Sequence, residues 1–121
     1  MNKYQIFLII YFTLFGCEPT ATIEGQDAIK VLDNDKYYFL DVRTISEHKI
    51  KSIPNTDCIP VQEIENKIEL LEEYRNKKII VYCRSGNRSG TATDILNRYG
   101  FDAYNMIGGI NEWEGKIISH E

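Results

Sequence analysis

Cysteine and histidine are scarce in this chain. Its 121 residues include three cysteines and two histidines, His48 and His120, which lie far apart in the sequence. Three cysteines are too few for the disulfide framework of a small secreted domain, and no cysteine or histidine has the close partner of a zinc site. The sequence therefore predicts no metal and no cofactor, and neither histidine supports a catalytic triad.

An excess of basic residues is also absent. Lysine and arginine together number 14 and aspartate and glutamate 18, so the formal net charge at pH 7 is −4. This balance argues against nucleic acid as a partner, because proteins that bind it need a basic surface. Several acids surround an apolar stripe with helical spacing, and a solvated helix face explains them without a metal. The acids are Glu63, Glu65, Glu69, Glu72 and Glu73, and the stripe is Val61, Ile64, Ile68, Leu71 and Tyr74.

The chain has no long hydrophobic run, and its one strongly apolar segment is short. That segment covers residues 4–15, twelve residues that follow Lys3, and the chain turns polar at Glu18. Twelve residues are few for spanning a bilayer, whereas a basic residue followed by such a run is typical of a signal peptide. Leu14-Phe15-Gly16-Cys17 resembles the lipobox of bacterial lipoproteins, in which cleavage leaves the cysteine as an acylated first residue.

The lipobox resemblance implies an exported protein that a lipid on Cys17 attaches to a bacterial membrane, facing the periplasm or the cell exterior. Residues 1–16 would be the signal peptide, 17–22 a short tether and 23–121 a single domain. About 100 residues suit one domain with one core. An uncleaved membrane anchor and an ordinary secreted start remain the alternatives.

The most informative segment lies near the middle of the chain, where an apolar run leads directly into a cysteine. Residues 79–82 are β-branched or aromatic, as in a strand that is buried on both faces of a parallel sheet, and Cys83 follows them. Gly86-Asn87 marks a turn, and the apolar spacing from residue 92 to residue 99 predicts a helix that begins near Asn87. Cys83 is thus expected at the sheet edge where open α/β sheets bind ligands.

The loop that follows Cys83 favours a reactive thiol. Loop and helix N–H groups, together with Arg84 and Arg88, would stabilise a thiolate and lower the pKa of the cysteine. The same groups would hold an anionic substrate. The alternative is a small buried residue that closes a core strand, but a structural cysteine does not need a glycine-containing loop with two arginines after it.

In order and separation, several motifs resemble those of single-domain rhodaneses, which are sulfurtransferases. They are Asp41-Val42-Arg43, Glu47, Ile53-Pro54, Ile59-Pro60, residues 81–89, Gly108-Gly109-Ile110 and Trp113, and the resemblance covers roughly residues 22–118. It implies that Cys83 takes a sulfane sulfur from a donor as a persulfide and passes it to an acceptor. The implied substrate-binding residues are Arg84, Ser85, Gly86, Asn87, Arg88 and Ser89, and Asp41 and Arg43 would brace the site.

Loop length distinguishes sulfur from phosphate chemistry among the related families. Four residues separate Cys83 from Arg88, whereas the related dual-specificity phosphatases and arsenate reductases have five because a tetrahedral oxyanion needs a wider cradle. The shorter loop favours a sulfurtransferase whose partners are a small anionic sulfur donor and a thiol, cyanide or protein acceptor. A sulfur carrier without turnover, and less favourably a phosphatase or arsenate reductase, remain alternatives. The protein is expected to be a monomer.

The patterns predict an α/β fold with a mainly parallel central sheet of about five strands and helices on both faces, and the resemblance implies that this fold is a rhodanese-like domain. Predicted strands cover residues 21–23, 37–42, 56–59, 79–82 and 102–106, and predicted helices cover 24–34, 46–50, 61–74, 91–99 and 110–118. Trp113 is expected to anchor the last helix in the core. Cys58 is expected to be a buried strand residue, and a Cys58–Cys83 disulfide is left open.

Overall fold

The computed structural model describes residues 18–120, so the predicted signal peptide and Cys17 lie outside the described residues. The strands of this part are β1 (Thr22–Ile23), β2 (Tyr37–Asp41), β3 (Lys51–Ser52), β4 (Asp57–Cys58), β5 (Lys78–Tyr82), β6 (Asp102–Met106) and β7 (Ile118–Ser119). Its α-helices are α1 (Gly25–Lys30), α2 (Ile45–Ile50) and α3 (Asn87–Arg98), and its 3₁₀ helices are Val61–Glu63, Glu65–Tyr74 and Ile110–Glu112. Among residues 18–120, no helix combines the length and apolar character that crossing a bilayer requires.

Five parallel strands form the central sheet in the order β1-β6-β5-β2-β4. Strand β5 lies in the middle, and its residues Ile79 to Tyr82 are fully buried, as their β-branched and aromatic character predicts. Because all five strands run the same way, their carboxyl ends meet at one edge. The predicted parallel sheet is confirmed.

Two apolar layers cover the two faces of the sheet. Helix α3 and the 3₁₀ helices of residues 61–74 pack on one face, and α1 and the segment after β6 pack on the other. The first layer includes Leu40, Val81, Ala92, Leu96, Ile64 and Leu71, and the second includes Ala28, Phe39, Ile80, Tyr82, Ile110 and Trp113. The predicted coverage of both faces is therefore also confirmed, and alternate residues of β5 serve opposite layers.

The segment of residues 61–74 is helical as predicted, but it is not one continuous helix. It consists of two 3₁₀ helices, and Lys67 has non-helical angles of φ −119° and ψ 19° inside the second. A 3₁₀ helix has three residues per turn, and Ile68, Leu71 and Tyr74 follow one another at that spacing. The spacing of four between Ile64 and Ile68 interrupts this repeat, which places the break at Lys67.

The predicted helix over residues 110–118 is wrong beyond its first turn. The chain is helical only at Ile110–Glu112, and Trp113 already has extended angles of φ −71° and ψ 125°. The Trp113 Nε1 donates to the carbonyl of Lys116 at 2.9 Å, and a Cβ on Gly115 would lie 2.6 Å from the indole ring. This folded-back indole takes the place of helical turns, although Trp113 is buried against Phe39 as a core anchor.

The remaining bounds differ from prediction at a few ends. Helix α1 stops at Lys30, four residues before its predicted end. Helix α3 begins at Asn87, as the turn at Gly86-Asn87 predicts, and so includes four residues before the segment of residues 91–99. Strands β3 and β7 were not predicted, and they form a small antiparallel pair in which Ser52 is opposite Ile118. This pair lies beside α2.

Candidate active site

Cys83 follows the last residue of β5 and is 1% exposed. Its carbonyl accepts the N–H of Ile110 at 2.9 Å, and the carbonyl of Arg84 accepts the N–H of Asn111 at 3.1 Å. The segment after β6 therefore supports the base of the loop of residues 83–89, called here the cysteine loop. This support holds Cys83 at the carboxyl edge of the sheet, where the sequence predicts it.

The cysteine loop surrounds the sulfur with hydrogen-bond donors. Gly86 has a left-handed φ of 115°, which glycine adopts at little cost, and its N–H points at the Cys83 Sγ at 3.1 Å. Helix α3 starts at the next residue, so its first N–H groups, which have no partner within the helix, point toward the loop. The buried Ser89 hydroxyl lies 3.2 Å from the sulfur.

These contacts decide the protonation of the cysteine. Burial raises the pKa of the Cys83 thiol, whereas hydrogen bonds from the Ser89 hydroxyl and from the N–H groups of Ser89, Gly86 and Ser85 lower it, and the net effect is a lowered pKa. A lowered pKa enlarges the thiolate fraction at neutral pH, and the thiolate is the nucleophilic form. The loop thus has the electrostatics of a reactive cysteine.

Arg88 lies near the sulfur but is bonded to another side chain. Its Nη1 and Nη2 donate to the two carboxylate oxygens of Glu47 at 2.7 and 3.1 Å. The Arg88 hydrogen bond is the main cause that lowers the pKa of Glu47 to about 2. Glu47 also caps α2 together with Thr44, so this ion pair fixes α2 against the cysteine loop.

Arg84 lies at the mouth of the site. With Arg43, Glu47, Ile50, Lys51, Ile110 and Asn111 it lines an open cavity of about 460 Å³ beside the cysteine loop. The cationic side chains of Arg84 and Lys51 line this cavity together with the Glu47 carboxylate, whereas Arg88 does not line it. That Arg84 and Arg88 bind an anionic donor stays a prediction.

Asp41 and Arg43 form a buried pair at the end of β2. The Asp41 carboxylate accepts the Arg43 Nε at 3.0 Å and the Nη2 at 2.8 Å, and Nη2 also donates to the carbonyl of Lys51 at 2.6 Å. Asp41 is fully buried and Arg43 is 4% exposed. The pair ties β2 to β3 below the mouth, which is the bracing that the family resemblance implies.

Three side chains of metal-ligand type meet at this point within residues 18–120. They are Asp41, His48 and Cys58, and their ligand atoms lie within 4.8 Å of one another. The Asp41 oxygens are already bonded to the Arg43 guanidinium and to the His48 Nδ1 at 2.9 Å, and the guanidinium repels a cation. Burial is the main cause that raises the pKa of Cys58 to about 12, so this thiol stays protonated. The cluster therefore acts as a hydrogen-bonded brace.

The sheet register excludes a Cys58–Cys83 disulfide. Asp41 is in register with both Cys58 and Tyr82, so β2 separates the two cysteine-bearing strands. Two strand spacings place the chains roughly 9–10 Å apart, and disulfides need Cα atoms within about 7 Å. Cys83 comes one residue after Tyr82, so its side chain also faces the opposite side of the sheet from Cys58.

The sequence interpretation missed Asn105, which contacts the cysteine loop from β6. Its Oδ1 accepts the Ser89 hydroxyl at 2.6 Å, and its Nδ2 donates to the carbonyl of Gly86 at 3.1 Å. A signal was present, since Asn105 is an amide in a predicted strand. The order of the strands, which places the end of β6 beside Cys83, could not be read from the residues alone.

Comparisons with known proteins agree with this geometry. The family model "Rhodanese-like domain" matches residues 24–116. A Bacillus subtilis protein, YtwF, provisionally named a sulfurtransferase, is 33% identical over 87 residues, which cover 72% of this chain and 82% of YtwF. YrkF of the same organism, provisionally named a sulfur carrier protein, is 35% identical over 88 residues, but the match covers only 46% of its length.

Solved structures give the same result. A rhodanese-related protein from Thermoplasma volcanium has a TM-score of 0.74 and 33% identity, with coverage of 81% of this chain and 97% of that chain. A rhodanese-like domain protein from Staphylococcus aureus has a TM-score of 0.73 and 25% identity, with coverage of 84% and 99%. With its strand order, its cysteine loop and these matches, the chain belongs to the rhodanese-like domain family.

Proposed function

We propose that this protein is a sulfurtransferase that carries sulfane sulfur as a persulfide on Cys83. The observation that carries the proposal is the buried Cys83 sulfur inside the cysteine loop, whose N–H groups and Ser89 hydroxyl point at it. Such a cradle stabilises a single anionic sulfur atom. The names of YtwF and YrkF, which describe sulfur transfer and sulfur carriage, support a sulfur-transfer role.

The reaction would proceed in two displacement steps. The Cys83 thiolate attacks the outer sulfur of thiosulfate, a new S–S bond forms, the donor S–S bond breaks, and sulfite leaves with the electron pair. With a polysulfide or a small persulfide as donor, a shorter polysulfide or a thiolate leaves instead. A thiolate or cyanide then attacks the terminal sulfur of the persulfide and releases the Cys83 thiolate. Ping-pong kinetics should follow.

A second candidate is a sulfur carrier that accepts its sulfur from a protein. The name of YrkF, a sulfur carrier protein that is 35% identical to this chain over 88 residues, favours this candidate. Transfer rates with small donors and with a protein donor would separate the two functions. A phosphatase or arsenate reductase is disfavoured, because four residues between Cys83 and Arg88 leave little room for a tetrahedral oxyanion.

Intact-protein mass spectrometry after incubation with thiosulfate or polysulfide tests the proposal. The expected result is a gain of one sulfur atom that cyanide or a thiol removes. Cys83→Ser should gain nothing, and Cys58→Ser is the matched control that should load normally, because the Cys58 thiol faces the other side of the sheet and stays protonated. A free Cys83 thiol in a folded protein that loads from neither donor would refute the small-donor enzyme.

The cellular context belongs to the same proposal. Cleavage before Cys17 and lipidation of that cysteine would anchor the protein to a bacterial membrane on its exported side. The partners would then be a soluble anionic sulfur donor, a thiol or protein acceptor, and the membrane itself.

A further inference from the structure

Asn105 contacts the cysteine loop at two points from the end of β6. Its Nδ2 donates to the Gly86 carbonyl at 3.1 Å, and its Oδ1 accepts the Ser89 hydroxyl at 2.6 Å. The amide also packs closely on α3, since a Cβ on Gly90 would lie 3.3 Å from the Nδ2. Asn105 is therefore held in one position, and both of its polar groups are directed at residues that surround Cys83.

These contacts fix the direction of the Ser89 proton. The Gly86 carbonyl can only accept, so the Nδ2 must face it and the Oδ1 must face Ser89. The Ser89 hydroxyl can donate only one hydrogen bond. When it donates to Asn105, the Ser89 oxygen turns a lone pair toward the Cys83 sulfur, which lies 3.2 Å away. This Ser89 lone pair can accept a hydrogen bond from the S–H of a Cys83 thiol, and the bridging sulfur of a persulfide tolerates it. A Cys83 thiolate is an acceptor only, so it is stabilised when the Ser89 O–H points at it instead.

We propose that Asn105 is a positioning residue that acts on Cys83 through Ser89. The Asn105 Oδ1 accepts the Ser89 O–H hydrogen bond while the sulfur is a thiol or a persulfide. When a thiolate forms, the Ser89 hydroxyl keeps its proton but turns its O–H toward the sulfur, and Asn105 loses that hydrogen bond. Asn105 and the thiolate thus compete for one hydrogen bond. The inference rests on the proposed function only in that sulfur delivery regenerates the thiolate.

The charges around Cys83 are independent of this competition. Arg88 on α3 interacts with the Cys83 and Asp41 charges and is paired with Glu47 of α2, and Arg84 follows Cys83 in the loop. Strand β6 contributes Asn105, which carries no charge. A neutral substitution at position 105 therefore leaves every charged group in place.

A double-mutant cycle on alkylation of Cys83 tests the proposal. The iodoacetamide rate at Cys83 is followed against pH by peptide mass spectrometry in the wild type, Asn105→Leu, Ser89→Ala and the double variant. Asn105→Leu removes the competing acceptor, so it should lower the midpoint pH of Cys83 alkylation when Ser89 is present. In the Ser89→Ala background, the same substitution should lower that midpoint less. The expected difference is about half to one pH unit, from the free energy of one hydrogen bond.

Equal shifts in the two backgrounds would overturn the proposal, because a purely structural clamp on Gly86 acts whether or not Ser89 is present. Urea unfolding of each variant establishes that it is folded, and Asn105→Ala gives a second cycle with the same expected sign. Alkylation requires no sulfur transfer. A protein that shows the difference but never loads sulfur would therefore refute the proposed function and leave this inference standing.

Discussion

At the scale of single residues, the Glu47–Arg88 pair links the stability of the protein to pH. Both side chains are about one-third exposed, with fractions of 30% and 34%. Arg88 holds the pKa of Glu47 near 2 in the folded protein, below the ordinary value of 4.5. A carboxyl group with a lowered folded-state pKa adds stability above its unfolded pKa, and this stability is lost as the pH falls through the folded pKa.

Glu47→Gln should therefore flatten the pH dependence of stability between about pH 4.5 and pH 2. At neutral pH the free energy of unfolding should fall by about 1 kcal/mol, because water screens a partly exposed pair and glutamine can still cap the helix. Urea unfolding across this pH range measures both effects. Glu69→Gln is the control, since Glu69 is exposed and forms no salt bridge within residues 18–120. An unchanged acid slope in Glu47→Gln would contradict the assignment.

At the scale of elements, the turn after β6 supports the cysteine loop through backbone hydrogen bonds. Gly108 and Gly109 have φ values of 80° and 60°, and the chain that leaves this turn supplies the N–H groups of Ile110 and Asn111 to the loop. A Cβ on Gly109 would collide with the carbonyl of Arg84. Only glycine allows this close approach of two backbones.

Gly109→Ala should destabilise the protein by about 2–4 kcal/mol, because it adds backbone strain to a collision that a rigid carbonyl cannot relieve. The displaced loop should also lose the lowered pKa of Cys83, which its alkylation rate against pH would report. Gly25→Ala is the matched control, because a Cβ at Gly25 meets no atom within 4 Å. Equal urea midpoints for the two variants would show that the turn has room to move.

The elements differ in how far the sequence could predict them. The apolar run of residues 79–82 predicted β5 and the position of Cys83, since burial on both faces leaves a clear composition. The 3₁₀ type of the helix over Glu65–Tyr74 could not be predicted, because apolar residues three apart also share one face of an α-helix. The β3–β7 pair could not, because two residues show no periodicity and their partners lie far apart in the sequence.

At the scale of the whole molecule, the central sheet offers little edge to another chain. Both edge strands, β1 and β4, have two residues each. Short edge strands present few free N–H and carbonyl groups for pairing with another chain. Pairing of two chains through these edges is therefore disfavoured, and a monomer stays a prediction.

The residues that precede β1 run alongside β6. They lie toward the amino ends of the strands, whereas Cys83 lies at the carboxyl ends. The Ala21 carbonyl accepts the N–H of Asn105 at 2.8 Å, and the Thr20 hydroxyl donates to Asp94 at 3.0 Å. Glu18 lines a cavity with Asp102, the first residue of β6. Asp102 is in register with Lys78, which precedes Cys83 by five residues, roughly 16 Å along a strand. Residues 18–22 of the predicted tether thus contact the domain and lie toward the amino ends of the strands.

This arrangement predicts the orientation of an anchored protein. If a lipid on Cys17 holds the amino edge against a bilayer, the cysteine loop at the carboxyl edge faces the aqueous phase. Mass spectrometry of the protein extracted from membranes should show loss of residues 1–16 and gain of a lipid, and Cys17→Ser should show no lipid. In vesicles, a membrane-impermeant maleimide should then label Cys83 of the lipidated protein as fast as that of Cys17→Ser in solution, with Cys83→Ser as the blank. Strong protection of Cys83 at the membrane would mean that the site faces lipid, and its donor would have to be sought within the bilayer.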